Sequence, residues 1–310
     1  MPSRYLISFV FILFCNRSVA QERKIDSSWS GDVRITIDQF PVKNAKQTIV
    51  CFFALPNGNS TEWTMGKKMA AGDNWHYDIQ HIAAQTSFIR NKLNRVNFTV
   101  VYLENKFRSW PSWKEKHPDF RQRLPAMIDS ITATIKGKNK IIYLSGHSGG
   151  GSLVFGYLAG VTSIPSNVKR IIFLDSDYGY DSSYYGKLHS WLATVKDAAL
   201  NVFAYDDSKV VFNGKRLVSD TGGTWYRSHL LLSHLQKDIS FDHSETDSLD
   251  IYRSKDKRVQ FYFKKNIDLG IYHTQQVELN GFIHSILCGT KHEGEGYEYY
   301  GPRAYSSYIN

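Results

Sequence analysis

Cysteine is scarce in this chain, and that absence removes several function classes at once. Three thiols in 310 residues, one of them Cys15 near the N-terminus, cannot build a disulfide framework. Cys51 and Cys288 could form a single bond in an oxidising compartment or remain buried free thiols. No C-x-x-C or H-E-x-x-H spacing occurs, so no metal site is indicated and no cofactor is implied. His76, Asp78 and His81 in "WHYDIQH" lie close together, but histidines five apart on a helix do not share a face as an i, i+4 pair would. An arginine-rich block is missing too. The 38 basic and 29 acidic residues are scattered, which suits a basic, solvated surface and gives no reason to expect a nucleic-acid partner. The longest apolar run, residues 5–14, falls well short of the roughly 20 residues that span a bilayer. There is no internal repeat, low-complexity tract or Pro/Gly-rich linker, so one large domain is the simplest organisation.

What is present begins with that apolar run. Arg4 precedes it, and Ser18, Val19 and Ala20 supply the small residues that a signal peptidase reads. The pattern predicts a signal peptide over residues 1–20, cleavage after Ala20 and a secreted or periplasmic product with no stable membrane span. An uncleaved anchor is the competing reading, while a lipoprotein through Cys15 is disfavoured by bulky Phe14 before it. Losing Arg4 and Arg17 lowers the net charge from +9 to +7.

Beyond the leader, short segments rich in β-branched and aromatic residues recur at 33–40, 47–55, 97–103, 140–145, 168–174, 200–205 and 258–263. Most are continuous apolar runs, as expected of strands covered on both faces. Helical spacing marks 75–93, 118–135 and 182–198, with a break expected near Pro125. This alternation predicts an α/β fold, a mainly parallel central sheet with helices on both faces. Residues 207–257 read as an insertion or lid, with an amphipathic helix inside 219–235. The tyrosine-dense stretch 178–186 could form an aromatic platform or simply pack as a loop, and the tail from Tyr297 could pack along the domain or bind a partner. Two glycosylation sequons begin at Asn59 and Asn97.

The stretch "KIIYLSGHSGGGSLVFGYLAG" joins a buried strand to a helix through Gly146-His147-Ser148-Gly149-Gly150, which matches G-x-S-x-G. In that setting the serine occupies a strained turn that lifts its hydroxyl above the sheet, and side chains in place of the glycines would clash with strand and helix. The helix N-terminus adds partial positive charge where an anionic intermediate would form. Ser152, Gly156 and Gly160 then place small residues on one helical face.

With this elbow and this order of elements, the chain resembles the α/β-hydrolase superfamily from residue 47 to the C-terminal helix, as a single domain over 21–310. The resemblance implies a serine–acid–histidine triad in that chain order, with Ser148 as nucleophile and no cofactor. It also implies an oxyanion hole made by the Gly149 amide and a donor from the loop after the third strand. That loop, "ALPNGNSTEW", lacks the family's histidine, and the Asn57 amide is the expected donor. Losing one such donor typically costs about 10²–10³ in rate. The base is expected at His273, in a loop, with His284 inside the next helix as the alternative. For the acid, Asp175, which ends one strand, is the expected residue, with Asp206 and Asp207, which follow the next strand at the family's more usual position, as the alternatives. The implied activity is a carboxylesterase acting on a small-molecule or polysaccharide ester through an acyl-enzyme. An amidase or peptidase with the same triad, or a non-catalytic binding protein of this fold, are the alternatives. Nothing in the sequence sets the oligomeric state.

Overall fold

A computed structural model describes residues 23–310; the expected signal segment, its cleavage point and Cys15 lie outside the described residues. The strands are β1 (Arg23–Trp29), β2 (Val33–Gln39), β3 (Gln47–Ala54), β4 (Val96–Asn105), β5 (Lys140–His147), β6 (Val168–Leu174), β7 (Ala199–Tyr205), β8 (Val211–Phe212), β9 (Lys215–Arg216), β10 (Phe241–Glu245), β11 (Leu249–Ser254) and β12 (Val259–Lys264). Ten of them form one sheet in the order β1-β2-β4-β3-β5-β6-β7-β12-β11-β10, with β8 and β9 as a separate hairpin. The six strands from β4 to β12 in that order run parallel, and an antiparallel pair extends each end.

The α-helices are α1 (Thr61–Met65), α2 (Ile82–Lys92), α3 (Trp110–Lys116), α4 (Phe120–Thr134), α5 (Gly151–Gly160), α6 (Tyr185–Thr194), α7 (Thr224–Leu235), α8 (Gln275–Glu278) and α9 (Gly281–Leu287). Alternation along β3 shows how they divide. Val50, Phe52 and Ala54 face a core shared with α3, α4, α5, α6 and α7. Cys51, Phe53 and Leu55 face a second core with α2 and α9. A strand buried on both sides has no polar positions to alternate with, which is why these strands read as unbroken apolar runs. The result is the expected α/β fold, a mainly parallel sheet with helices on both faces.

Two local expectations change. Pro125 does not break its helix: Phe120–Thr134 is continuous. Proline removes one hydrogen bond, that of the Arg121 carbonyl. This carbonyl lies 2.0 Å from where a Cβ on Gly160 would sit, so α5 packs directly on it. Leu124, Met127, Ile128 and Ile131 keep the buried stripe intact on both sides of the proline. The helix expected over 75–93 is instead a short 3₁₀ turn at Trp75–Asp78 and then α2, separated by His81 with φ +48°. His81 hydrogen-bonds Asp78 at 2.7 Å, which in turn pairs with Arg303, while His76 stacks between Trp63 and Trp75. Among the described residues no cluster of His, Cys, Asp or Glu could hold a metal ion.

Residues 207–257 divide between hairpin, helix and sheet edge. Leu231, Leu232 and Leu235 of α7 are buried in the first core, and β10 and β11 widen the sheet. At the C-terminus Tyr297, Tyr299 and Tyr305 bury against the second core, so the tail packs along the domain. Asn280 Nδ2 ties this tail down by donating to the Glu298 and Pro302 carbonyls at 2.7 and 2.8 Å.

Cys51 and Cys288 are both buried and unbonded, and burial pushes the Cys288 thiol up to about 11. The buried Arg170 guanidinium donates to Asn201 Oδ1 at 2.6 Å and to the Cys288 carbonyl at 3.1 Å, locking the end of α9 to the sheet. Asn59 is buried, and Asn97 Oδ1 accepts from the Val42 N–H at 2.7 Å, so neither sequon presents a free side chain. Among the described residues no helix is long and apolar enough to cross a membrane.

Candidate active site

The parallel strands β5, β6, β7 and β12 all end on one edge of the sheet, and each is followed there by a residue singled out from the sequence. Ser148 directly follows β5 and adopts φ +54°. Left-handed backbone is costly for a residue with a Cβ and persists only where the surroundings impose it. Here the surroundings are backbone. A Cβ on Gly151 would lie 1.7 Å from the Ser176 carbonyl oxygen, and one on Gly149 would lie 2.0 Å from the Asn57 side-chain oxygen. The elbow is therefore wedged between the loop after β6 and the loop after β3. Gly151→Ala should force these backbones apart at a cost of at least about 3 kcal/mol, read as a lowered melting temperature or failure to accumulate folded protein.

Asn57 thus covers Gly149. A cavity of about 380 Å³ opens beside them, lined by Asn57, Ser148, Gly149, Ser152, Ser176 and Tyr178.

Asp175, immediately after β6, is fully buried and also left-handed, with φ +46°. Its N–H donates to the Phe203 carbonyl at 2.7 Å. The turn aims the carboxylate across the strand ends. Its Oδ2 meets His273 Nδ1, and its Oδ1 accepts from the Thr224 hydroxyl. His273 lies in the loop between β12 and α8 with its side chain 23% exposed. A proton on Nδ1, donated to Asp175, leaves Nε2 as the basic nitrogen.

Ser148 and His273 make no direct hydrogen bond; the contact with His273 comes from His147, the chain neighbour of Ser148. Its ring packs against that of His273 at 4.7 Å, and its Nε2 donates to the His273 carbonyl at 3.2 Å. Burial, reinforced by His273, holds His147 well below the usual imidazole range, so it stays neutral. Nucleophile-to-base contacts are often long without substrate.

The other candidates are placed differently. Asp206 Oδ1 accepts from the Ser208 N–H at 3.1 Å and from its hydroxyl, closing a local turn. Asp207 is buried and accepts from the Thr224 N–H at 3.0 Å, away from His273. His284 sits within α9, its Nδ1 3.1 Å from the Tyr297 hydroxyl and its ring stacked on Tyr299. Burial, with Arg253 and Arg170 nearby, pushes it down to about 3.

The sequence reading passed over His147, Thr224 and Asp177. Asp177 is fully buried and accepts from Ser228 Oγ at 2.7 Å, and burial is the main cause raising its carboxyl to about 8. A raised folded value means that its contribution to stability is complete below about pH 4 and is lost as pH climbs towards 8. Asp177→Asn keeps an acceptor for Ser228 but cannot ionise. Its melting temperature relative to wild type is expected to rise by several degrees between pH 5 and 8.5, since each pKa unit is worth about 1.4 kcal/mol. A pH-independent difference would contradict this.

No family model and no curated protein matches the sequence. Solved structures do. A siderophore hydrolase, EstA, from Aspergillus nidulans is 10% identical with a TM-score of 0.46, covering 91% of this chain and 99% of that one. A structure of FAE is 10% identical with a TM-score of 0.48, covering 87% and 90%. A predicted CIB-like hydrolase from Thermoplasma acidophilum is 10% identical with a TM-score of 0.43, covering 85% and 95%.

Proposed function

We propose that the chain is an exported serine hydrolase, a carboxylesterase that works through an acyl-enzyme on Ser148. The observation that carries this reading is the contact between His273 Nδ1 and the buried Asp175 carboxylate, beside a serine in a left-handed elbow. In this mechanism Ser148 Oγ attacks the ester carbonyl while His273 Nε2 takes its proton. The Gly149 and Asn57 amides hold the resulting oxyanion. The tetrahedral intermediate collapses, His273 gives the proton to the departing alcohol, and Ser148 keeps the acyl group. A water then attacks, with His273 again as base, and releases the acid. Asp175 holds the imidazole tautomer and stabilises the imidazolium that forms twice per cycle.

The cavity supports a substrate class. At about 380 Å³, with Ser152, Ser176 and Tyr178 among its lining, it suits a short acyl group better than a long chain. The test is hydrolysis by the mature protein of p-nitrophenyl esters of increasing chain length, alongside acetylated and feruloylated sugars and matched amides. Cleavage of short esters with weak activity on long ones and on amides is the expected result. Amide cleavage in preference to esters would replace the esterase reading with an amidase.

A further inference from the structure

Thr224 Oγ1 stands between two buried carboxylates, one on each side. It hydrogen-bonds Asp175 Oδ1 and lies 3.5 Å from Asp207 Oδ2. A hydroxyl has one hydrogen and two lone pairs, so it can donate to only one of them. The closer contact, to Asp175, takes the hydrogen, and Asp207 then faces oxygen lone pairs. Asp207 is 1% exposed, its Oδ1 has no hydrogen-bond partner, and among the described residues no ion pair reaches it. An ionised carboxylate there would be buried, repelled and short of donors. A proton on Asp207 turns the same contact into a donation.

The balance of the groups facing Asp207 favours that proton. Asp175, Asp177 and Tyr178 come from the end of β6 and its loop, Tyr205 from the end of β7, and the Thr224 and Trp225 N–H groups from the start of α7. Burial first, then the charge of Asp175, pushes the Asp207 carboxyl up to about 7, against the smaller opposing pull of the backbone donors.

We propose that Asp207 is a neutral carboxylic acid that positions the triad acid, donating to Thr224 Oγ1, which in turn donates to Asp175. The proposal rests on the Ser148–His273–Asp175 reading. The order of donors is Asp207 O–H to Thr224 Oγ1, Thr224 O–H to Asp175 Oδ1, and His273 Nδ1–H to Asp175 Oδ2. Every hydrogen points towards the one carboxylate that stays ionised, and the chain of donors fixes its rotation. When Asp207 loses its proton, Thr224 Oγ1 loses the donor that fixes its rotation, and two anions compete for its one hydrogen. Asp207 touches neither substrate nor His273; it is a positioning residue at the place where the family resemblance would put the acid itself.

Asp207→Asn tests this, because the amide has the same shape, cannot ionise and still donates to Thr224. Its kcat at pH 6 is expected to stay within about threefold of wild type, while the fall in wild-type rate above about pH 7 is lost or moves to higher pH. Thr224→Val should lower kcat roughly 10–100-fold with little change in KM, as loss of a hydrogen bond to a charged group does, and Thr224→Ser should restore it. A second readout needs no substrate. The infrared difference spectrum of wild type minus Asp207→Asn should contain the carbonyl band of a protonated carboxylic acid at pH 6 and lose it at pH 9. The proposal is overturned if Asp207→Asn costs as much as Asp175→Asn, if the alkaline fall persists unchanged, or if no such band exists at pH 6. Activity undiminished in Ser148→Ala would instead defeat the triad reading, whatever the infrared spectrum shows.

Discussion

Ser148→Ala is expected to lower kcat on short p-nitrophenyl esters by on the order of 10⁶, leaving KM and melting temperature close to wild type. That loss corresponds to about 8 kcal/mol of transition-state stabilisation. The size follows from the role proposed for the serine: without Oγ no acyl-enzyme can form, and His273 and Asp175 would have no nucleophile to activate. A residue of roughly 10³–10⁴ over the uncatalysed rate is expected to survive, because the Gly149 and Asn57 amides still receive an oxyanion. The fold should tolerate the change. The left-handed turn is imposed by backbone against backbone, with Gly151 under the Ser176 carbonyl, and alanine at 148 carries no more strain there than serine.

Asp175→Asn is the second large effect, about 10⁴ in kcat or roughly 5 kcal/mol, with substrate binding little changed. The carboxylate receives two donors, His273 Nδ1–H on one oxygen and the Thr224 hydroxyl on the other. Asparagine has one acceptor oxygen. If it faces Thr224, its N–H₂ points at His273 and selects the tautomer with hydrogen on Nε2, which cannot take the serine proton. If it faces His273, a buried N–H₂ confronts the Thr224 hydroxyl, and the imidazolium still lacks its negative partner. Asp206→Asn, by contrast, should cost less than about threefold, since Asp206 Oδ1 serves only the local turn at Ser208. Measuring kcat and melting temperature for both variants separates loss of the orienting charge from loss of fold.

The central strands and the elbow were legible because their signals are local. Strands covered on both faces must be apolar throughout, as β3 and β6 are. A serine between strand and helix needs small residues where backbones cross, which the run from Gly149 to Gly151 supplies. The edge strands were not legible. β1 reads "RKIDSSW" and β10 reads "FDHSE", because a strand at the margin packs little apolar surface and its pairing is set by the neighbour. Pro125 misled because the sequence cannot show that the freed Arg121 carbonyl would be met by Gly160.

The choice among Asp175, Asp206 and Asp207 was not legible either. All three end strands, and what distinguishes them is long-range: His273 lies 98 residues from Asp175, and Thr224 lies 49. The left-handed turn that aims Asp175 leaves no mark in the sequence, since aspartate there has no glycine to betray it. His147 escaped for the opposite reason. It occupies one of the two positions of G-x-S-x-G that the motif leaves free, yet it ties the elbow to the histidine loop.

The most direct test of the account is active-site labelling of the folded, mature protein with a fluorophosphonate, with the modified peptide identified by mass spectrometry. A single adduct on Ser148 is predicted, slowed strongly in Asp175→Asn and absent from Ser148→Ala. No adduct on the wild type, or undiminished labelling of Ser148→Ala, would contradict it.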